Sequence, residues 1–195
     1  MVEIKRLTPE LAEDYVHFFD VTPHDQFVDE HKCYCVCWCN DDYEGKDFST
    51  VEKRRKQALE YVKNNNIQGY LVYDGDEIIG WCNANSRNDC LKCASWRYLM
   101  DYVPLIKEDL ELKIKSIFCF VINPKRKRQG IATMVLNRVI DDAINEGYDI
   151  IEAYPFKDGK YQSSDFGGHI DMYKKHGFAI YLEAEKGIVM RKRLK

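Results

Sequence analysis

Residues Asn123–Ala132 read NPKRKRQGIA: four consecutive cations, Lys125 to Arg128, then Gln129, Gly130 and the small Ala132. Cations beside a glycine bind phosphate best when the backbone carrying them also points N–H groups outward, and the flanking sequence predicts such a backbone. The apolar run Ser116–Ile122 before the loop reads as a strand. After it, Ile131, Val135, Val139 and Ala143 recur every fourth residue beside a second row, Ala132, Leu136, Ile140 and Ile144. That is the pattern of a helix buried along one broad side. Gly147 stops the helix, and Tyr148–Tyr154 reads as a second strand. Strand, loop, helix and strand form a crossover, parallel and right-handed by the usual chirality rule. A helix start leaves N–H groups unpaired at the positive end of its dipole, which is an anion site. Gly130 removes the Cβ that would hold a phosphate away from the backbone.

Spacing narrows the ligand. A nucleoside-triphosphate loop requires a second glycine followed by Lys and Ser or Thr, which this loop lacks. A dinucleotide fingerprint requires three glycines, and only Gly130 is present. Lys127, Gly130 and Ala132 instead resemble the acyl-CoA pyrophosphate loop of the GCN5-related N-acetyltransferase (GNAT) superfamily: Arg or Gln, two residues, Gly, one residue, Gly or Ala. Lys127 departs from that pattern, since lysine lacks the planar fork of arginine. Downstream, Tyr173–Lys174–Lys175–His176–Gly177–Phe178 resembles the family's Tyr-x-x-x-Gly-Phe segment. The resemblance is firm over residues 112–182.

The resemblance implies a mixed α+β fold, a mostly antiparallel sheet flanked by helices with one βαβ unit, over a single domain spanning 1–195. It implies acetyl-CoA as co-substrate and direct transfer of the acetyl group to a primary amine. The strands Ser116–Ile122 and Tyr148–Tyr154 would splay, with the pantetheine arm on the backbone of Phe120, Val121 and Ile122. Lys127, Arg128, Gln129, Gly130, Ile131, Ala132 and Thr133 would hold the pyrophosphate, and Lys125, Arg126 or Lys127 the ribose phosphate. A strand N–H would polarise the thioester carbonyl. Tyr173 would donate a proton to the leaving thiolate. An alkylamine must lose a proton before it attacks; Glu152 or Glu111, acting through water, are the candidate bases, with His169 and Asp171 as weaker ones. Acidic Asp41, Asp42 and Glu44 would favour a cationic acceptor, and Gly159, Gly167 and Gly168 would let the loop Lys157–Gly168 move over it. The acceptor would be a small-molecule or peptide amine. A homodimer is compatible with the pattern.

Composition sets the remaining bounds. The chain has 195 residues, enough for one ordinary core. Hydrophobic residues at 45% argue against disorder, and no apolar run is long enough to span a bilayer. A net charge of −3 argues against a dedicated nucleic-acid binder. Without an apolar leader after Met1–Arg6, a cytoplasmic protein with no membrane partner is expected. Of the eight cysteines, Cys33, Cys35, Cys37 and Cys39 alternate as in a strand, placing the thiols on one face. Spaced about 6.6 Å apart along one strand, they suit a tetrahedral metal poorly. Structural thiols and no metal are therefore expected, with Cys90-x-x-Cys93 as the pair of suitable spacing. Two other readings compete: an acyl-CoA-binding domain without catalysis, and a cysteine-based metal or redox protein.

The remaining elements follow from local signals. Val2–Arg6 is a strand. Thr8–Pro9 opens a helix with Leu11, Tyr15, Phe18 and Phe19 as its apolar stripe. Ser49-x-x-Glu52 is a capping box for a helix through Lys63. Gln68–Tyr73 and Glu77–Ala84 form a hairpin, Asn85–Lys92 a loop, and Ser95–Met100 a helical turn. Phe178–Glu183 and Ile188–Leu194 close the chain as a second hairpin.

Overall fold

The computed structural model describes residues 1–22, 32–36, 46–155 and 166–195. Its strands are β1 (Val2–Arg6), β2 (Gly69–Asp74), β3 (Glu77–Ser86), β4 (Ile114–Ile122), β5 (Ile150–Ala153), β6 (Ala179–Glu183) and β7 (Ile188–Arg193). Its helices are α1 (Ala12–Val21), α2 (Val51–Lys63), α3 (Arg87–Lys92), α4 (Ala94–Leu99), α5 (Ile131–Asn145) and α6 (Ile170–Lys175). The strands form one seven-stranded sheet in the order β1-β2-β3-β4-β5-β7-β6. Only β4 and β5 run parallel, because α5 carries the chain back to the starting edge between them; every other neighbour is antiparallel. This is the mixed α+β architecture expected from the sequence.

Strand alternation divides the core. Tyr70 and Val72 of β2 face α5 on one side, with Ile117, Ile151, Ala153, Ile188 and Met190. Leu71 and Tyr73 face α1 and α2 on the other, with Trp81, Cys119 and Val121. The expected two-row stripe of α5 buries Val135, Leu136, Val139 and Ala143, while Ile144 at its end remains exposed. Gly147 ends α5 in the left-handed region at φ +72°, where Tyr148 N–H reaches the Ala143 carbonyl at 2.9 Å.

Three local expectations are corrected. The cap of α2 is Thr50 rather than Ser49: Thr50 Oγ1 accepts from Lys53 N–H at 3.3 Å, while Ser49 N–H turns to Asp47. Asn85–Lys92 is not a loop. β3 continues through Ser86, whose hydroxyl caps α3 by accepting from Asp89 N–H and donating to the Asp89 carboxylate. Cys33 and Cys35 do not sit on a strand; Tyr34 and Cys35 have φ of 48° and 49°, and Val36 N–H closes a turn on the Cys33 carbonyl. Core anchoring of Tyr34 overrides the alternation. Its ring packs 5.3 Å from Phe19, its hydroxyl donates to Asp20, and its carbonyl accepts from Tyr15. Cys37 and Cys39, like Asp41, Asp42, Glu44 and Gly159, lie outside the described residues. Cys82, buried on β3, is a free thiol. Cys90 and Cys93 are buried in an apolar cluster with Trp96, Val103, Tyr154 and Val189.

Candidate functional site

The centre of the sheet opens along one seam. β4 and β5 pair from Ile114–Ile150 to Ile117–Ala153 and no further, although β4 runs on to Ile122. The parting begins at Phe118, the extra residue of a bulge where β4 shifts register against β3 between Asn83 and Ala84. A bulge bends its strand and sharpens the local twist, which turns the end of β4 away from β5.

Backbone direction past the bulge follows from two hydrogen bonds. Asn123 N–H donates to Ile79 of β3 at 2.9 Å, and Phe120 N–H points the other way, across the opening, to the Phe166 carbonyl at 2.7 Å. Successive strand residues aim their backbone at opposite edges. Phe120 and Ile122 therefore offer backbone groups to the opening, while Val121 is turned to β3. Of the three residues expected to hold a pantetheine arm, alternation leaves Phe120 and Ile122.

At the end of β4, Pro124–Arg126 form a single 3-10 turn whose cap is Asn123, with its side chain accepting from Lys125 N–H. Arg128 and Gly130 then both adopt positive φ, 64° and 81°. Gly130 is the N-cap of α5 and its carbonyl accepts the first helical bond, from Met134 N–H at 3.0 Å. The amides of Ile131, Ala132 and Thr133 therefore precede the helical ladder. A Cβ on Gly130 would meet no protein atom within 4 Å, so the space over this turn is open. Arg126 is drawn back to the β2–β3 turn, where it pairs with Asp74 and Glu77, and so faces away from any ligand at α5.

The candidate acid–base residues fall in three different environments. Tyr173 is fully buried on α6, its ring 5.2 Å from Phe178, and its hydroxyl donates to the Gly167 carbonyl at 2.7 Å. Burial, with the nearby Cys82 and Cys119 thiols, pushes its pKa well above the usual tyrosine value, so the hydroxyl keeps its proton at neutral pH. Glu152 is fully buried, with both carboxylate oxygens hydrogen-bonded. Its Oε2 accepts from Arg87 Nη1 at 3.1 Å and Arg191 Nε at 2.6 Å, and its Oε1 accepts from Tyr154 Oη at 2.6 Å. Asp109 completes the cluster with Arg87 at 3.1 Å and Arg191 Nη1 at 3.0 Å. A carboxylate held by two arginines has no accessible lone pair for a substrate proton, which corrects Glu152 from base to ion-pair partner. Glu111 is exposed and precedes β4, whereas Phe120, whose N–H faces the opening, lies roughly 20 Å along the strand from its start at about 3.3 Å per residue. It is too distant to act as the base. His169 is the cap of α6, its ring accepting from Asp171 N–H at 3.2 Å.

Sequence reasoning missed Arg87, Asp109 and Arg191, and also Phe166. A signal existed for one of them: Glu152 is the single charge in the apolar strand β5, which calls for a cation, and Arg191 stands directly opposite it in the β5–β7 register. Gly167 and Gly168 were expected to permit movement, but their packing is tight. A Cβ on Gly167 would stand 2.3 Å from the Tyr154 carbonyl, and one on Gly168 3.1 Å from the Tyr173 hydroxyl.

Among the described residues no three His, Cys, Asp or Glu side chains converge as a metal site, and no helix is long and apolar enough to cross a membrane. No curated protein matches the sequence significantly. Solved structures match along its length. An acetyltransferase of the GNAT family from Streptococcus pneumoniae superposes with a TM-score of 0.58 at 16% identity, covering 100% of both chains. The PaiA N-acetyltransferase of Thermoplasma acidophilum, solved in complex with coenzyme A, gives 0.56 at 12% identity and covers 99% of each chain. An N-acetyltransferase from Staphylococcus aureus gives 0.56 at 12% identity, covering 100% of this chain and 99% of its own. At such identities the likeness is one of fold. The profile of the acetyltransferase (GNAT) family matches residues 5–178, and the chain belongs to that family.

Proposed function

We propose that this protein is an acetyl-CoA-dependent N-acetyltransferase that passes the acetyl group directly to a primary amine. The observation that carries this reading is the parting of β4 from β5 directly ahead of an open helix start, in a chain of the GNAT family. The amides of Ile131–Thr133, with Gly130 giving close approach, suit a pyrophosphate. Lys125, on the 3-10 turn, is the cation suited to the ribose phosphate, since Arg126 is held by Asp74 and Glu77. Phe120 and Ile122 offer strand-like backbone pairing to the pantetheine arm.

In the transfer, the amine enters as the free base, having given its proton to solvent. Its nitrogen bonds to the acetyl carbon as the carbon–sulfur bond breaks. Phe120 N–H donates to the carbonyl oxygen as that oxygen gains charge. Tyr173, kept protonated by its burial, gives its proton to the departing sulfur and is re-protonated from solvent, while the new amide nitrogen sheds its extra proton.

The test is release of free thiol from acetyl-CoA in the presence of amines of distinct classes: polyamines, amino acids, aminoglycosides and peptide N-termini. Thiol release dependent on one class, with a matching acetylated product, is the expected result. Tight acetyl-CoA binding with no release across all classes would favour the non-catalytic binding domain instead.

A further inference from the structure

Phe166 and Gly167 touch both groups that donate in the proposed transfer. The Phe166 carbonyl accepts from Phe120 N–H at 2.7 Å, and the Gly167 carbonyl accepts from Tyr173 Oη at 2.7 Å. Both anchors are held by packing and hydrogen bonds. Tyr154, against whose carbonyl Gly167 packs, is itself fixed by its hydroxyl bond to Glu152 and by ring contacts with Trp96 and Phe118. Tyr173 is locked on α6 against Phe178. Two consecutive carbonyls of one short stretch, packed against Tyr154 at the end of β5, thus reach Phe120 on β4 and Tyr173 on α6.

We infer that Phe166–Gly167 is an internal plug: its carbonyls occupy both donors of the transfer site, and acyl-CoA binds by displacing it. The inference rests on the acyl-CoA reading above. One N–H directed at one acceptor cannot also serve a second acceptor in line with it, so the Phe166 carbonyl and a thioester carbonyl exclude one another at Phe120. The plug mimics its competitor, since both are carbonyl oxygens at hydrogen-bond distance from the same amide. A single displacement frees Phe120 N–H and Tyr173 O–H together. The two donors are therefore withheld from water and stray ligands until the thioester arrives. This also explains why glycine stands at 167: a Cβ there would lie 2.3 Å from the Tyr154 carbonyl, a backbone atom that cannot swing aside.

Two variants dislodge the plug from different sides. Gly167→Ala forces it off Tyr154, and Tyr173→Phe removes its second hydrogen bond while keeping the ring. Binding of acetyl-CoA and of coenzyme A is measured by calorimetry, and exchange of the Phe120 amide is followed by NMR without ligand. Each variant is expected to bind acetyl-CoA about 2- to 12-fold more tightly, the worth of one net hydrogen bond, and to exchange the Phe120 amide faster than wild type. Tyr173→Phe should in addition lose about 10²–10⁴-fold in turnover, so tighter binding and slower chemistry appear in one variant. Wild-type binding that neither variant tightens, or rapid Phe120 exchange in the wild type, overturns the plug and leaves the cofactor reading standing. Absence of binding of both ligands in all three proteins overturns the cofactor reading, and the plug falls with it.

Discussion

Below Ala153, along the paired stretch of β4 and β5, Glu152, Arg87, Arg191 and Asp109 satisfy one another through side chains. Above it, Phe120 and Tyr173 are satisfied by two carbonyls of a single short stretch, Phe166 and Gly167. The two arrangements differ in what remains when a partner leaves. Removing a member of the ionic cluster strands a charge in a dry interior, which is costly. Moving a carbonyl off an N–H strands a neutral dipole that an entering ligand can satisfy. The lower half of the seam is built to stay, and the upper half to exchange partners.

The lower half is broken most severely by Glu152→Ala. Arg87 and Arg191, each less than one-tenth exposed at the side chain, would share the single carboxylate of Asp109, with Arg87 also donating to the Pro104 carbonyl. Loss of one partner from a buried ion pair costs about 3–5 kcal/mol, so urea unfolding should show a loss of that order with m unchanged. A loss below about 1 kcal/mol would mean that water enters the cluster freely and that the two halves of the seam do not differ in kind. The upper half is tested by Gly130→Asp, which adds a carboxylate to the open turn ahead of α5. A ligand at 100 times its Kd stabilises the fold by about 2.7 kcal/mol, and the variant should lose that acetyl-CoA-dependent gain. An equal shift in thermal midpoint for both proteins would remove the helix start as the phosphate site.

Lys115 sharpens the comparison because it lies in the paired half without full compensation. It is buried on β4, 3.9 Å from Glu146 and 5.1 Å from the Tyr148 ring. Burial lowers its pKa below 10.5 despite the attraction of Glu146. A lysine whose folded pKa is depressed destabilises the fold fully below that value, and the penalty is relieved as pH rises towards 10.5. Lys115→Met should therefore raise stability at pH 7 by about 1 kcal/mol. It should also flatten the wild-type rise in stability between the lowered value and 10.5. A destabilised variant would show Lys115 to be as well compensated as the Arg87–Glu152 cluster.

Much of the lower level was legible in the sequence and little of the seam's polar wiring was. The periods of Ile131–Ala143 and the apolar run ending at Ile122 specified the crossover, because burial of one helix face and of a central strand leaves a direct mark on residue type. The glycine ahead of α5 was legible for a similar reason, since positive φ selects glycine. The bulge at Phe118 was not, because any large apolar residue can occupy it and the register shift is imposed by β3. The partners of Glu152 come from residues 87, 109 and 191, and no local pattern joins positions so far apart. The cysteine strand failed because alternation of small and large residues does not by itself select a strand: here Tyr34, Cys35 and Val36 are all buried in a turn.

The smallest expected effect concerns Arg128, which holds φ at 64° two residues before Gly130. The left-handed region costs a residue with a Cβ about 1–2 kcal/mol. Replacing Arg128 by glycine relieves that cost but adds about 0.5–1 kcal/mol of unfolded-chain entropy. The net gain in stability should thus be about 0.5 kcal/mol, visible as a small rise in the thermal midpoint without ligand. The cation would be retained against this strain because it stands beside the open helix start, where an anion gains from it. Arg128→Gly should accordingly bind coenzyme A more weakly, and more so at low salt, where the charge is least screened. Arg128→Ala separates the two contributions: it loses the same charge but keeps the strained conformation, so its affinity should fall equally while its stability does not rise. Should Arg128→Gly prove less stable than wild type, the side chain's own contacts would outweigh the backbone strain. The turn would then be held as firmly as the ionic cluster, narrowing the difference between the two halves of the seam.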